Sequence, residues 1–239
     1  MFFVPPQGEI VLAADEARVS MTLEVERKTA VEARDEAAKL ASAVQTAILD
    51  IQGVEKESLK TISLSVSPRY ESIREKNNYW KQIIVGYVVR NSFEVKVNDA
   101  DTAKGLQIVG NVVDTAIQQG GDPLRVNNVW FGLSRKTRQM GEVEARRLAA
   151  ENAKVKAEAY AQSLDSPLGQ VLLITEETNN VVTPTPMFAR AGVTMDMAEM
   201  VMDEGVESTP IASGGERTIR ANVYVTWELC STGDCNPAS

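Results

Sequence analysis

The chain of 239 residues is 44% hydrophobic and 24% charged, the balance of a folded globular protein rather than a disordered one. Its 25 Lys and Arg stand against 33 Asp and Glu, a formal charge of -8, so a phosphate backbone is on average repelled and nucleic acid is not an expected partner. The complete absence of histidine removes Ser-His-Asp and Cys-His nucleophile systems, His-ligated zinc and imidazole bases together.

At the start, Met1-Phe2-Phe3-Val4 runs into Pro5-Pro6 without the basic opening and apolar core of a signal peptide. The expectation is a mature form with an added methionine, or a chain not exported by that route. No apolar run approaches the roughly 18 residues of a membrane span, so no transmembrane segment is expected.

The first strand has Ile10 and Leu12 on even positions, then Ala17, Val19, Met21, Leu23 and Val25 on odd ones. A one-residue shift moves every side chain to the other face, so a bulge or break is expected near Ala14-Asp15. Thr29 with Glu32 makes a capping box, and the helix it opens sets Ala37, Leu40, Ala41, Val44, Ile48 and Ile51 on one stripe before Gly53. Ile62, Leu64 and Val66 then alternate with serine and threonine in a strand that Pro68 is expected to end.

Residues 68–82 read as a hairpin arm around the turn candidate Asn77-Asn78, carrying Tyr70, Tyr79 and Trp80. These aromatics either form a contact surface or fold back on the sheet edge. After the arm, Val85, Tyr87, Val89, Phe93, Val95 and Val97 mark a half-buried strand broken only by Asn91. Asp99 or Asp101 is the expected cap of a helix with Leu106, Val109, Val112, Val113, Ala116 and Ile117 inward, ending at Gly120-Gly121. Val129, Phe131 and Leu133 follow in a strand.

An Ala-rich helix is expected from about Arg138 to Leu164, with Ala145, Leu148, Ala149, Ala153, Ala157, Tyr160, Ala161 and Leu164 as its packing stripe. Val171 to Ile174 is short and continuous enough for a buried strand. The last strand alternates through Ile219, Ala221, Val223, Val225, Trp227 and Leu229. The expected fold class is therefore α+β: two strand-helix-strand units in the split order β-α-β-β-α-β, then a long helix and two further strands. One domain spans 8–229, with sub-units at 8–67 and 83–133, a segment 138–229 holding a Met- and Pro-rich insertion at 176–215, and a Cys-containing tail at 230–239.

Within the insertion, Met195, Met197, Met200 and Met202 lie beside Asp196, Glu199 and Asp203. Thioethers suit monovalent copper, but the same spacing makes an adaptable apolar segment that packs on the domain or a neighbour, and weak or no copper binding is expected. Cys230 and Cys235 are open to a disulfide, to two separate thiols or to a metal shared with another chain. No dinucleotide or P-loop glycine motif occurs. No catalytic residue, resident metal or cofactor is assigned.

In this order of elements the chain resembles the SIMPL domain family, named for a signalling molecule that associates with a mouse pelle-like kinase. The resemblance rests on Gly8 with Asp15-Glu16-Ala17, Thr29-Ala30-x-Glu32-Ala33, and Gly86-Tyr87 with Asn91, Val95-Lys96-Val97 and Asp101. It continues in Phe131-x-Leu133, Lys156-Ala157-Glu158-Ala159-Tyr160-Ala161, and Thr209-Pro210-Ile211 with Gly214. Members include periplasmic immunogenic proteins, proteins tied to oxidative-stress tolerance and a ring-forming, channel-like oligomer, and the family is not known for catalysis. The resemblance implies a non-enzymatic, self-assembling protein of the cell envelope or periplasm, with itself as first partner; Tyr70, Tyr79 and Trp80 of the arm, residue types enriched at interface centres, are the expected oligomer contacts. The exported character of the family favours a Cys230–Cys235 pair. The alternative it implies is a cytoplasmic adaptor that binds a signalling protein.

Overall fold

The computed structural model describes residues 2–4, 7–74, 79–177, 183–184 and 208–230. In chain order the elements are β1 (Phe2–Val4), β2 (Gln7–Ala13), β3 (Glu16–Arg27), α1 (Ala30–Leu49), β4 (Leu59–Arg74), β5 (Trp80–Asn98) and α2 (Ala103–Gly120). There follow β6 (Leu124–Gly132), α3 (Arg135–Ser163), β7 (Leu168–Glu177), β8 (Thr183–Pro184) and β9 (Glu216–Leu229). The fold is mixed α+β with two antiparallel sheets. Two compact units share the chain: a terminal unit drawn from the described residues of 1–14, 133–194 and 215–239, and a central unit drawn from those of 15–132 and 195–214.

The register switch at Ala14-Asp15 is the crossing between them. β2 pairs with β9, whereas β3 pairs with β5 and β6. Ala14 donates its N–H to Gly215 in the terminal unit, and Asp15 accepts from Ala100 in the central one. What the alternation marks as a slip is thus a change of sheet, which places the structural boundary at residue 14 rather than within a single strand-helix-strand sub-unit.

In the central unit the strands lie in the order β4-β5-β3-β6. Alternation decides which face is covered: Ala17, Val19, Met21, Leu23 and Val25 of β3 and Val89, Phe93, Val95 and Val97 of β5 are all buried. The helices meet them with Ala33, Ala37, Ala41, Val44 and Ile48 of α1 and Val109, Val112, Val113 and Ala116 of α2. Thr29 caps α1, its hydroxyl accepting from the Glu32 N–H. At α2 the cap is Thr102, which accepts from the Gly105 N–H, and not Asp99 or Asp101. Asp99 adopts a left-handed φ of 55° and turns its carbonyl to Thr102, so its side chain is not the one aimed at the helix. Ile117, expected inward, lies on the exposed side of α2.

The terminal unit is built differently. β9 is its spine: β1 and β2 pair in succession along one edge, β7 and β8 along the other. Helix α3, capped by Ser134, lies against β9 and β2. Its buried residues are Gly141, Ala145, Ala149, Ala153, Ala157 and Ala161, every fourth position, so they form one ridge inclined to the axis that can follow a twisted sheet. Tyr160 and Leu164 fall off that ridge and are exposed, against the expected stripe. On β9, Ile219, Ala221, Val223, Val225 and Trp227 are buried beneath the helix.

The apolar run of β7 is not the buried strand its composition suggests. Val171, Leu172, Leu173 and Ile174 are all exposed, because β7 is an edge strand on β9 while α3 packs chiefly over β9 and β2. Among the described residues no helix is long and apolar enough to cross a membrane.

Candidate functional site

The hairpin of β4 and β5 is longer than alternation alone indicates. β4 runs straight through Pro68, which pairs with Tyr87, and the ladder continues to Arg74 opposite Trp80. Proline is tolerated because β4 is the outermost strand: its missing N–H costs no ladder bond when that position faces away from the sheet. The strand expected to stop at Pro68 therefore forms one side of the arm itself.

Opposed residues share a face, so the pairing of Val66 with Val89 and of Leu64 with Asn91 puts Leu64 and Val66 on the helix-covered side. α1 packs mainly on β5 and β3, and β4 lies beyond that cover. Ile62, Leu64 and Val66 are consequently exposed, as are Tyr70, Ile73 and Ile84 further along the arm. At the end of the described ladder Tyr79 is 75% and Trp80 70% accessible, and Tyr70 is 56% accessible. The aromatics do not fold back on the sheet. The turn candidate Asn77-Asn78 lies outside the described residues.

The opposite face of the same sheet is sealed by polar pairs. Thr22 and Ser92 share a hydrogen bond of 2.9 Å, Asn127 donates to Thr22 at 3.0 Å, and Arg90 donates to Glu24 at 2.8 Å. That bond from Arg90 holds the Glu24 carboxyl below the usual glutamate range. Arg18 sits over the Trp130 ring at 5.2 Å from its centroid, and the nearly buried Glu16 accepts from Arg18 and lies 3.8 Å from Lys96. Arg69, at the root of the arm, is bonded to Glu26, which raises its pKa further above the ordinary guanidinium value. The contrast marks the arm as an apolar surface of this unit that its own helices do not cover.

Ile62, Leu64, Val66, Ile73 and Ile84 were not among the sequence candidates for contact. Their signal was present: a strand alternating Ser and Thr with aliphatics, followed by a proline it can accommodate, is an edge strand. Asn91 is the polar break in β5, and its Oδ1 is buried with no hydrogen-bond partner among the described residues. It stands opposite Leu64, where the covered part of the sheet gives way to the arm.

Cys230 is buried just past β9, donating its N–H to Pro167 and accepting from the Ser166 hydroxyl, while Cys235 lies outside the described residues. Met195, Met197, Met200 and Met202 also lie outside them. A shallow groove of about 420 Å³ at the C-terminal end of α3, lined by Ala161, Pro167 and Leu168 with Glu158 and Asp165, is open and carries no convergent polar set. Among the described residues no group of acidic or Cys side chains is placed to hold a metal.

Comparison with known proteins matches residues 4–227 to the SIMPL family, described as a protein of unknown function (DUF541). The chain belongs to the SIMPL family. Two curated relatives carry the name 26 kDa periplasmic immunogenic protein, one from Brucella melitensis and one from Brucella abortus. Each is 29% identical over 233 residues, covering 95% of this chain and 83% of the relative. In this SIMPL protein Gly8, one of the residues on which the resemblance stands, lies where α3 presses on β2: a Cβ there would come within 1.9 Å of the Ala145 carbonyl oxygen. The Thr209-Pro210-Ile211 stretch has an equally local role, since Thr209 donates through its N–H to the Asp114 carboxylate on α2 at 2.7 Å and Ile211 packs on the central core.

Proposed function

We propose that this SIMPL protein is a non-enzymatic, self-assembling component of the cell envelope or periplasm, acting through surfaces it presents to other copies. The observation that carries the reading is the exposed arm, with Tyr70, Tyr79 and Trp80 on a hairpin that the central core does not need. Large aromatics of this kind are enriched at the centres of protein interfaces. The periplasmic names of the relatives support the compartment, and a chain with no histidine supports binding over acid-base catalysis.

Size-exclusion chromatography with light scattering tests it. The expected mass is several times 26.1 kDa, and the double variant Tyr79→Ala/Trp80→Ala is expected to lower that mass with an unchanged thermal transition. A wild-type chain that runs as a monomer at micromolar concentration and physiological salt overturns the reading. In the same oxidising compartment Cys230 and Cys235 pair, closing a short loop that adds on the order of 2 kcal/mol in the chain-entropy view. Intact mass after alkylation without reductant then shows no added label, and two labels would contradict the pairing.

A further inference from the structure

The segment from Ser208 to Gly214 belongs to the central unit, although it follows β7 and β8 in the chain. It joins neither sheet and forms no helix. What holds it is a short series of contacts with α2 and β6. Gly110 and Asp114 are four residues apart on α2 and so share a face. The Asp114 carboxylate accepts from the Thr209 N–H at 2.7 Å and also from the Thr209 hydroxyl. The Thr209 carbonyl approaches the bare Gly110, where a Cβ would come within 2.6 Å of that oxygen. Ile211 then packs on the central core, and Gly214 lies against the Phe131 side chain of β6.

These are the parts of a peptide-recognition groove. A carboxylate reads the N–H and O–H of one residue together, a gap in the helix surface admits backbone, and an apolar seat follows two residues on. The occupant is a strap of the same chain, held as a ligand is held rather than as a core is held. Thr209, Pro210, Ala212 and Ser213 are exposed, and Ser208, Ile211 and Gly214 are only partly buried. The strap ends at Gly215, which has a left-handed φ of 71° and open space where a Cβ would stand, so the chain swivels there without strain. A surface segment with few anchors opens at a small fraction of the free energy that unfolds a whole unit.

We propose that Ser208 to Gly214 is a displaceable strap filling a peptide groove of its own unit, whose partner in trans is an extended segment of the same chemistry: a hydroxyl residue followed by proline and an aliphatic residue. Thr209 on Asp114 is the latch. While the strap is seated, a competing segment meets only the chains whose groove is empty, and its apparent affinity falls by that fraction. The strap is thus an autoinhibitory contact. It lies on α2 and β6 rather than on the arm, and it is independent of how copies associate.

Fluorescence anisotropy with a labelled peptide spanning residues 207–215 tests it. The variant Thr209→Val/Ile211→Ser loosens the strap and leaves α2 and β6 untouched, and it is expected to bind the peptide about tenfold or more tightly than the wild type does. Adding Asp114→Ala to that variant is expected to abolish the gain. A strap variant that is folded by circular dichroism and gains no affinity overturns the proposal, as does a gain that survives Asp114→Ala. Where the strap variant does not fold, amide exchange of the wild-type chain decides. The Thr209 and Ile211 amides are expected to exchange through opening of the strap alone, faster than Val112 and Val113 inside α2, and exchange at one common rate overturns the proposal. Gly110→Ala is the converse wedge: its Cβ favours the helix but meets the Thr209 carbonyl, so the strap is expected to lose protection while α2 keeps its own. Unchanged protection of the strap in that variant contradicts the seating on Gly110.

Discussion

Both units lay helix on sheet, yet they fill the space between by opposite means. In the central unit the strands contribute volume: Phe93, Met21 and Leu23 are completely buried, and α1 and α2 close over them. In the terminal unit the helix contributes absence of volume. α3 presents Gly141 and a row of alanines, Gly8 lies directly beneath Ala145 and Ala149, and Ala221 stands beside Gly8 in the register of β2 with β9. The lesson is that one interior fails when atoms are removed and the other when atoms are added.

The sharpest break is therefore expected at Gly8. A Cβ at that position meets the backbone of α3, 1.9 Å from the Ala145 oxygen and 2.5 Å from the Ala149 nitrogen, and backbone cannot move aside as a side-chain tip can. Gly8→Val is expected to undock α3, seen as loss of amide protection in α3 and β9 while α1 and α2 keep theirs. Full protection in α3 of the variant would show that the close approach is not what holds the unit.

Next in size is Phe93→Ala, the removal experiment in the volume-filled core. Truncating a fully buried phenylalanine costs roughly 3–5 kcal/mol, so the denaturant midpoint is expected to fall steeply with the loss centred on the central unit. A smaller and opposite effect is expected at Asn91. Leaving a buried carbonyl unpaired costs about 1–3 kcal/mol, and Asn91→Val, which fits the alternation of β5, is expected to raise the melting temperature. A drop would mean that the amide makes a contribution its buried oxygen does not reveal.

Smallest is the effect on the polar face that the central sheet leaves to water. Glu24 is held below the usual glutamate range first by its hydrogen bond from Arg90, so its contribution to stability is complete above the ordinary glutamate pKa and fades as pH falls through the lowered one. Arg90→Ala is expected to cost a little stability at neutral pH, and the difference from wild type should shrink in acid below that window. A difference that persists unchanged in acid would assign the loss to packing of the arginine stem.

Period-two alternation made β3 and β9 legible almost residue by residue, because each has one covered face and one wet one. The same rule located the crossing at Ala14-Asp15, although a slip in phase cannot say that the chain is leaving for another sheet. Run length misled at β7: four aliphatics in succession look buried, but exposure depends on whether a helix lies above, and α3 does not extend its ridge there. In α3 the stripe could be drawn through Tyr160 and Leu164 or through every fourth alanine, and only the close approach at Gly8 and Gly141 selects the second. The aromatics of the arm were visible as residues, whereas their exposure follows from β4 lying beyond the helices, a property of strand order. The ladder of Glu24 with Arg90 and Glu16 with Arg18 and Lys96 depends in part on cross-strand register, which one strand's sequence does not carry.

On the self-assembly proposed above, the exposed β4–β5 arm meets another copy while the interiors of both units stay closed. Amide hydrogen exchange of the wild-type chain as a function of its own concentration measures this directly. Protection in β4 is expected to rise from nanomolar to micromolar protein, while β3 and the centre of β9 stay equally protected throughout. Exchange in β4 that does not change with concentration, in a sample shown by light scattering to pass from monomer to assembly, would contradict that role of the arm.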